Sequence, residues 1–387
     1  MRAALPPGFV ASTGHAGLRR VGDDVAVIMA TGPATSAAMF TQSLFAGPSV
    51  EVSRARAATG HARAVVIVAN NANVATGEQG RSDALEVTSL VASATGIPLE
   101  EVLVASTGVI GRPYPMELLR DHLGALGDSG DFTADALDVA RAMMTTDTHP
   151  KVAVGQVGAA RVVGMAKGVG MIEPRMATML AFVVTDAAVE PPTLNRLWRR
   201  AVDETFNCLS IDTDTSTSDT AVVVASGVAG PVADTALGVA LLEVCLDLTL
   251  QLARDGEGAT KLISVTVRGA RHRDQARRVA KAIVNSPLVK TAVHGADPNW
   301  GRVAMAIGKC SDDADIHPDR VVIRFGDLEA YPAIPDDDGL ARLAQAMATD
   351  HVDIEVDLGI HEGWGQATVY GCDLSEGYVR INADYTT

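Results

Sequence analysis

Thr178 is the residue of this chain best placed for covalent chemistry. It follows Lys167-Gly168-Val169-Gly170-Met171-Ile172-Glu173-Pro174-Arg175-Met176-Ala177 and precedes the unbroken apolar run Met179-Leu180-Ala181-Phe182-Val183-Val184. Its hydroxyl therefore stands where a buried strand opens out, with a glycine loop and a lysine just upstream. A threonine hydroxyl is weakly acidic and attacks a carbonyl only when a base takes its proton; a free α-amine on the same residue is one such base. Inside an intact chain Thr178 has no free amine. Chemistry here requires scission of the Ala177–Thr178 bond, through attack of the hydroxyl on the Ala177 carbonyl and hydrolysis of the resulting ester. Most threonines at strand starts are structural, so on these residues alone both readings stand.

Other segments carry chemistry less directly. Ser106-Thr107-Gly108-Val109-Ile110-Gly111 is a turn of small residues whose backbone can approach a ligand closely, or an ordinary strand-to-helix turn. Lys167 can meet a carboxylate as a point charge, or lie on the surface after a strand. Thr145-Thr146-Asp147-Thr148 reads as a solvated turn, and Glu257, set between two glycines, as an exposed carboxylate. Asp212 to Thr220 places three aspartates among hydroxyl side chains, yet it lacks the glycine and terminal glutamate of an EF-hand loop, and no metal is assigned to it. His294 has no nucleophile at a recognisable spacing and is read as structural. Cys208, Cys245, Cys310 and Cys372 are scattered without a Cys-x-x-Cys pair and are expected to be buried free thiols.

The elements that must position these residues follow from pattern. Runs rich in β-branched residues predict strands at 26–31, 64–69, 102–105, 152–157, 161–166, 221–225 and 262–267. Helices are predicted at 82–95, stopped by Gly96 and Pro98; at 115–124; at 133–144 with Thr133 as N-cap; and after Pro191-Pro192 with Thr193 as cap and Trp198 and Phe206 in the core. Further helices are expected at 236–253 and 273–284. From about 315 the texture shifts to short alternating strands at 320–325, 352–358 and 366–370 with a helix at 339–349.

With 387 residues, 47% of them hydrophobic and 20% charged, the chain is expected to fold compactly. Its 47 acidic residues against 32 basic ones, a net charge of −15, oppose general association with nucleic acid or anionic membranes. The first residues carry a charge but no sustained apolar core, and no stretch reads as a membrane span of ~20 apolar residues, so a cytoplasmic protein is expected.

The segment Lys167 to Leu180 closely resembles the self-cleavage segment of the ornithine acetyltransferase family, the glutamate N-acetyltransferases of arginine metabolism. Distant segments agree: Asn71-Ala72-Asn73, Ser106 to Gly111, Thr145 to Thr148, Asp212 to Thr220, Asn285 to Ala292, Asp297 to Arg302 and the final Asn382-Ala383-Asp384-Tyr385-Thr386-Thr387. Through Ser210 to Asp214 and Asp297 to Trp300 the likeness is especially close to the copies found in secondary-metabolite clusters such as that for clavulanic acid. Arg175 departs from the small polar or acidic residue common there, which bears on the rate of self-cleavage.

The resemblance implies a mixed α/β fold, an αββα sandwich of the self-processing N-terminal-nucleophile type over residues 1–285, with a smaller C-terminal α/β domain at 286–387 whose tail returns to the active site. It implies cleavage between Ala177 and Thr178, Thr178 as nucleophile, and Thr107 with Gly108 as the oxyanion pair. Thr145, Lys167, Thr178, Glu257, Asn382 and Thr387 become substrate-binding residues. The expected substrates are N2-acetylornithine and glutamate, with no cofactor and no metal, and the two fragments are expected to stay associated as an α2β2 assembly. An amidohydrolase or peptidase using the same nucleophile with water as acceptor, or a silent binding protein, are the rival readings.

Overall fold

In a computed structural model the chain is described over residues 3–126, 132–173, 179–360 and 363–384. It divides into two compact units. The first holds residues up to Asn207 and Asp214–Leu252; the second takes Cys208–Thr213 and the described chain from Ala253 to Asp384.

In chain order the first unit contains β1 (Phe9–Gly14), β2 (Val25–Ala30), β3 (Thr35–Phe40), α1 (Pro48–Ala57), β4 (Ala64–Val68), α2 (Gly77–Thr95), β5 (Val102–Ser106), α3 (Met116–Gly124) and α4 (Ala136–Ala142). It continues with β6 (Lys151–Val157), β7 (Ala160–Lys167), β8 (Leu180–Ala188), α5 (Pro191–Glu204), β9 (Thr220–Pro231) and α6 (Asp234–Arg254), whose last residues open the second unit. Two sheets result, one ordered β1-β2-β4-β5 and the other β3-β9-β8-β7-β6. Neighbours are antiparallel except β4 with β5 and β8 with β9, which are parallel.

The apolar runs explain the layering. Every residue of β2, β4 and β5 is buried, as strands covered on both faces require. One face of the four-stranded sheet, through Ile28, Ile67 and Leu103, meets Val163, Met165, Phe182 and Val222 of the five-stranded sheet. Its other face packs Val66 and Val104 against Val87 and Val91 of α2 and Leu119 and Leu123 of α3. The far side of the five-stranded sheet is covered by α5, where the Trp198 indole N–H donates to the Ala221 carbonyl at 3.2 Å, and by α6, whose Val244 and Leu248 sit over Gly164. The order is helix, sheet, sheet, helix, the expected αββα sandwich. Trp198 and Phe206 are fully buried and meet edge to face at 6.5 Å, as core residues should.

Three local expectations are corrected. Asp135, not Thr133, caps α4, accepting from the Leu137 N–H; Thr133 instead pairs with Ala11 and donates to Asp138. Pro191 opens α5 after Glu190, a turn before Thr193, because proline's missing N–H costs nothing at a helix start. One helix, Asp234–Arg254, is long and apolar enough to cross a membrane by length and composition; within the fold its apolar face covers β6 and β7.

The second unit contains β10 (Leu262–Ala270), α7 (Arg273–Val284), α8 (Pro287–His294), α9 (Trp300–Gly308), β11 (Val322–Phe325), β12 (Leu328–Tyr331), α10 (Asp337–Met347), β13 (His351–Asp357), β14 (Gly365–Cys372) and α11 (Glu376–Asp384). Its sheet is ordered β12-β11-β13-β10-β14, with β10 parallel to β13 and antiparallel to β14. Val265, Val279, Ile283, Ile323, Ile354 and Val369 lie in one core. The division at Leu252/Ala253 replaces the expected boundary at 285/286. Strand β10 and helix α7 look continuous with the first unit in sequence, but β10 hydrogen-bonds to partners about a hundred residues later, which fixes its place in the second sheet. Cys208–Thr213 joins the same unit because the Ser210 N–H donates to the Tyr370 carbonyl at 2.8 Å.

Candidate active site

The parallel strands β4 and β5 end together, with Val68 opposite Ser106. The two loops that follow interlock through their backbones: the Thr107 N–H donates to Val68 at 3.1 Å, Ala72 to Val109 at 3.0 Å and Gly111 to Val74 at 2.9 Å. Gly108 sits at φ 128°, and a Cβ there would come 2.3 Å from the carbonyl carbon of Asn70. Only glycine fits. The opposing loop is itself shaped by left-handed residues, Asn70, Asn73 and Ala75, at φ 67°, 50° and 58°. The buried Asn73 side chain ties it down, donating to the Gly80 carbonyl at 2.8 Å and accepting from the Thr76 hydroxyl at 2.9 Å. The Asn-Ala-Asn segment thus supports the Thr107-Gly108 turn through its backbone.

Gly108→Ala is expected to destabilise the fold by about 3 kcal/mol, from backbone overlap and an unfavourable φ together. A thermal melt and an assay of the expected acetyl transfer on the same preparation should both fall.

A second group is organised by Asp147. Its carboxylate pairs with Lys151 at 2.7 Å, both side chains fully buried, and accepts from the backbone N–H of Thr145 at 3.0 Å and of Gly168 at 2.8 Å. Burial pushes this carboxyl up, but Lys167, Lys151 and the Thr145 N–H outweigh it and hold it at about 2. One ionised side chain thereby fixes Thr145 and the backbone directly after Lys167. Lys167 ends β7, paired with Leu180 at the start of β8, and its Nζ donates to the Thr107 hydroxyl oxygen at 3.2 Å. Thr107, Gly108, Thr145 and Lys167 are therefore drawn together where β5 and β7 end and β8 begins. The sequence reading passed over Asp147; the available signal was a carboxylate four residues before a lysine that opens a strand.

Ala177, Thr178 and Thr387 lie outside the described residues. Met179 is described and buried, and its carbonyl accepts from Thr220 of β9 at 3.1 Å. The hydroxyl-rich segment before β9 is built into this end of the sheet. The Thr41 hydroxyl donates to the Ser216 carbonyl at 2.6 Å, Gly47 N–H to Thr217 at 2.9 Å and Thr41 N–H to Asp219 at 3.0 Å. Its oxygens serve the backbone, and among the described residues no three His, Cys, Asp or Glu side chains gather as metal ligands.

In the second unit Glu257 accepts from the Asn382 amide at 2.9 Å. This pair exists because the 256–258 loop and the start of α11 touch backbone to backbone: a Cβ on Gly258 would lie 2.2 Å from the Tyr378 nitrogen. The helix α11 was not expected from the sequence, where this stretch reads as a frayed tail. His294 is held by Asp373 at 2.7 Å, and Asp373 also accepts from the Thr260 hydroxyl and from the backbone of Thr260 and Lys261. Thr260 and Asp373 both meet Nδ1 of His294, so the ring does not bridge a nucleophile to an acid, and the cluster is structural.

Comparison with known proteins gives the chain its family. The ArgJ family profile matches residues 10–387. The chain is 54% identical over 386 residues to the arginine biosynthesis bifunctional protein ArgJ 2 of Nostoc sp., covering 100% of this chain and 99% of that one. It is 56% identical over 392 residues to the glutamate N-acetyltransferase Oat2 of Streptomyces clavuligerus, covering 99% and 98%. The crystal structure of an ArgJ protein from Bacillus halodurans is 42% identical, covers 54% of this chain and 100% of its own, and superposes with a TM-score of 0.49. The chain therefore belongs to the ArgJ family, and its activity is that of a glutamate N-acetyltransferase (ornithine acetyltransferase).

Proposed function

We propose that the chain cleaves itself between Ala177 and Thr178 and then carries an acetyl group from N2-acetylornithine to glutamate on the Thr178 hydroxyl. The two fragments, of 177 and 210 residues (387 minus 177), stay associated, as dimers of such pairs. Once Thr178 has a free α-amine, that amine takes the hydroxyl proton as Oγ attacks the acetyl carbonyl. Negative charge collects on the carbonyl oxygen, and the Thr107 hydroxyl and Gly108 N–H donate to it. The tetrahedral adduct collapses, the ornithine nitrogen leaves with a proton, and the acetyl group remains as an ester on Thr178. Glutamate's amine then attacks that ester through the same steps in reverse.

The observation that carries this reading is the contact of Lys167 with Thr107. Because Nζ donates to Oγ1, the Thr107 hydroxyl is left to point its own proton elsewhere, as an oxyanion donor must. Lys167 is assigned to the substrate carboxylate and Thr145 to its positioning. Glu257, braced by Asn382, is assigned to the substrate ammonium group, with Thr387 completing the site.

Glu257→Gln is expected to raise KM for glutamate at least about tenfold, the scale of a lost hydrogen bond to a charged group, with the melting temperature unchanged. The reaction itself is tested by incubating the protein with N2-acetylornithine in the presence and absence of glutamate. Acetylglutamate should form only with glutamate, with little acetate released without it. Equal acetate release in both mixtures would replace the transferase with a hydrolase.

A further inference from the structure

The outer face of α6 carries an apolar stripe turned toward solvent. Val239, Leu242 and Leu246 follow one another at helical spacing; Val239 is 54% exposed and the two leucines are half-buried. The core does not need them, since α6 meets it through the buried Leu241, Val244 and Leu248. Charged rows of opposite sign flank the stripe. On the β6 side stand Glu243 and Asp247, both exposed; Asp247 accepts from the Gln251 amide, which also donates to Val152 of β6 at 3.0 Å. On the other side lies α5, where the Leu197 side chain would stand 3.1 Å from a Cβ on Gly238, and its outer face shows Arg196, Arg199 and Arg200. Arg196 and Arg200 pair with Asp234 and Glu204 yet stay 64% and 71% exposed, and such surface pairs are weak. Both helices follow parallel strands, β8 and β9, and so run back over the sheet in the same direction. With Leu197 level with Gly238, Glu243 lies about 3 Å further along than Arg200, within reach of a long side chain.

We propose that this face joins two copies of the protein, the stripe of one lying on the stripe of the other, an interface that rests on the assembly of two fragment pairs proposed above. A two-fold contact sets one patch against itself. An axis running along α6 keeps the two helices parallel and exchanges the sides of the stripe, so that Glu243 and Asp247 of each copy meet the arginine row of the other. An axis across α6 would set acid against acid and arginine against arginine. Charge therefore selects the parallel pairing. The size suits it as well: α6, with 21 residues, is about 30 Å long and, with α5 about 10 Å away, presents about 500 Å² of projected face, a footprint whose accessible area approaches the ~800 Å² that each partner buries in a stable complex.

The test takes the full chain with Val239→Cys and Leu246→Cys made separately and treats each with a short bismaleimide. In the parallel pairing every position on the stripe faces its own copy, so both variants are expected to give the doubled mass of the polypeptide that carries α6, while the wild type, whose cysteines are buried or half-buried, does not. The antiparallel pairing brings only the position at the axis to its copy; cross-linking at one of the two positions, or at neither, overturns the proposal. Leu246→Arg should weaken association by at least about 30-fold, the scale of an interface hot spot, in sedimentation velocity across a dilution series. Glu243→Arg should also weaken it, and Glu243→Arg combined with Arg200→Glu should recover it. A folded Leu246→Arg that assembles like the wild type overturns the proposal, as does capture of the wild type but not of Leu246→Arg by neutral phospholipid vesicles, which would give the stripe to a lipid surface. A wild type that sediments as a single fragment pair at every concentration refutes the assembly reading itself, a distinct outcome.

Discussion

Thr178→Ala is expected to remain a single chain of 387 residues and to transfer no acetyl groups, whereas the wild type is expected to separate under denaturing conditions into fragments ending at Ala177 and beginning at Thr178. Two losses coincide because, in the mechanism proposed above, the same oxygen performs both reactions. In self-cleavage it attacks the Ala177 carbonyl; afterwards it attacks the acetyl group, with the amine created by the first reaction as its base. Alanine has no oxygen for either. Intact mass together with the rate of acetylglutamate formation settles the matter in one preparation. Thr178→Ser should distinguish chemistry from shape, since serine retains the hydroxyl: fragments should still appear and some transfer persist. Cleavage in the alanine variant would exclude Thr178 as the agent of scission.

Asp147 gives the largest expected effect on stability. Its pair with Lys151 is fully buried, and removing one member of such a pair strands the other charge without solvent. Asp147→Ala should therefore cost about 3–5 kcal/mol, measured by denaturant or thermal unfolding, and should abolish transfer because the Thr145 and Gly168 amides lose their acceptor. Asp147→Asn should be damaging too, since a neutral amide offers Lys151 no counter-charge. The wild type carries a matching pH signature. In the fold this carboxyl is held at about 2, below the ordinary aspartate value of 3.8. A depressed carboxyl stabilises the fold fully above its unfolded pKa, and that contribution is lost as pH falls from near 4 through about 2. It is worth about 2 kcal/mol. Unfolding free energies measured across that interval should fall more steeply in the wild type than in Asp147→Ala.

The same residues show why parts of the site were legible and others were not. Thr178 was singled out because a hydroxyl, a glycine loop and an apolar run lie next to one another in the chain, and its role came from the family resemblance. Thr107 and Gly108 read from the residues alone as an ordinary small-residue turn after a strand, and their role as an oxyanion pair came from the family resemblance. What makes glycine obligatory at 108 is the carbonyl of Asn70, which no local pattern brings near it. Asp147 read as a member of a solvated threonine-rich turn, and Asp219 as one of three aspartates in a hydroxyl-rich stretch with no assigned role. Polar composition normally predicts exposure, and only their burial reverses it.

By itself the sequence determined the strands, which are continuous β-branched runs, most of the helices, which carry an apolar stripe, and the family, whose motifs are distributed from Asn71 to the final residues. These are properties of neighbouring residues or of residue identity. Tertiary structure decided the rest. It placed β10 in the second sheet through strands about a hundred residues away, joined Glu257 to Asn382 across 125 residues, and buried two carboxyls to opposite ends. Asp147, among lysines and amide donors, is lowered to about 2, whereas burial, with one oxygen bare, pushes Asp219 well above the usual carboxylate range. The two are the same amino acid, and the difference between them is the set of donors the fold brings to each, a property of the surroundings that the chain specifies only by folding.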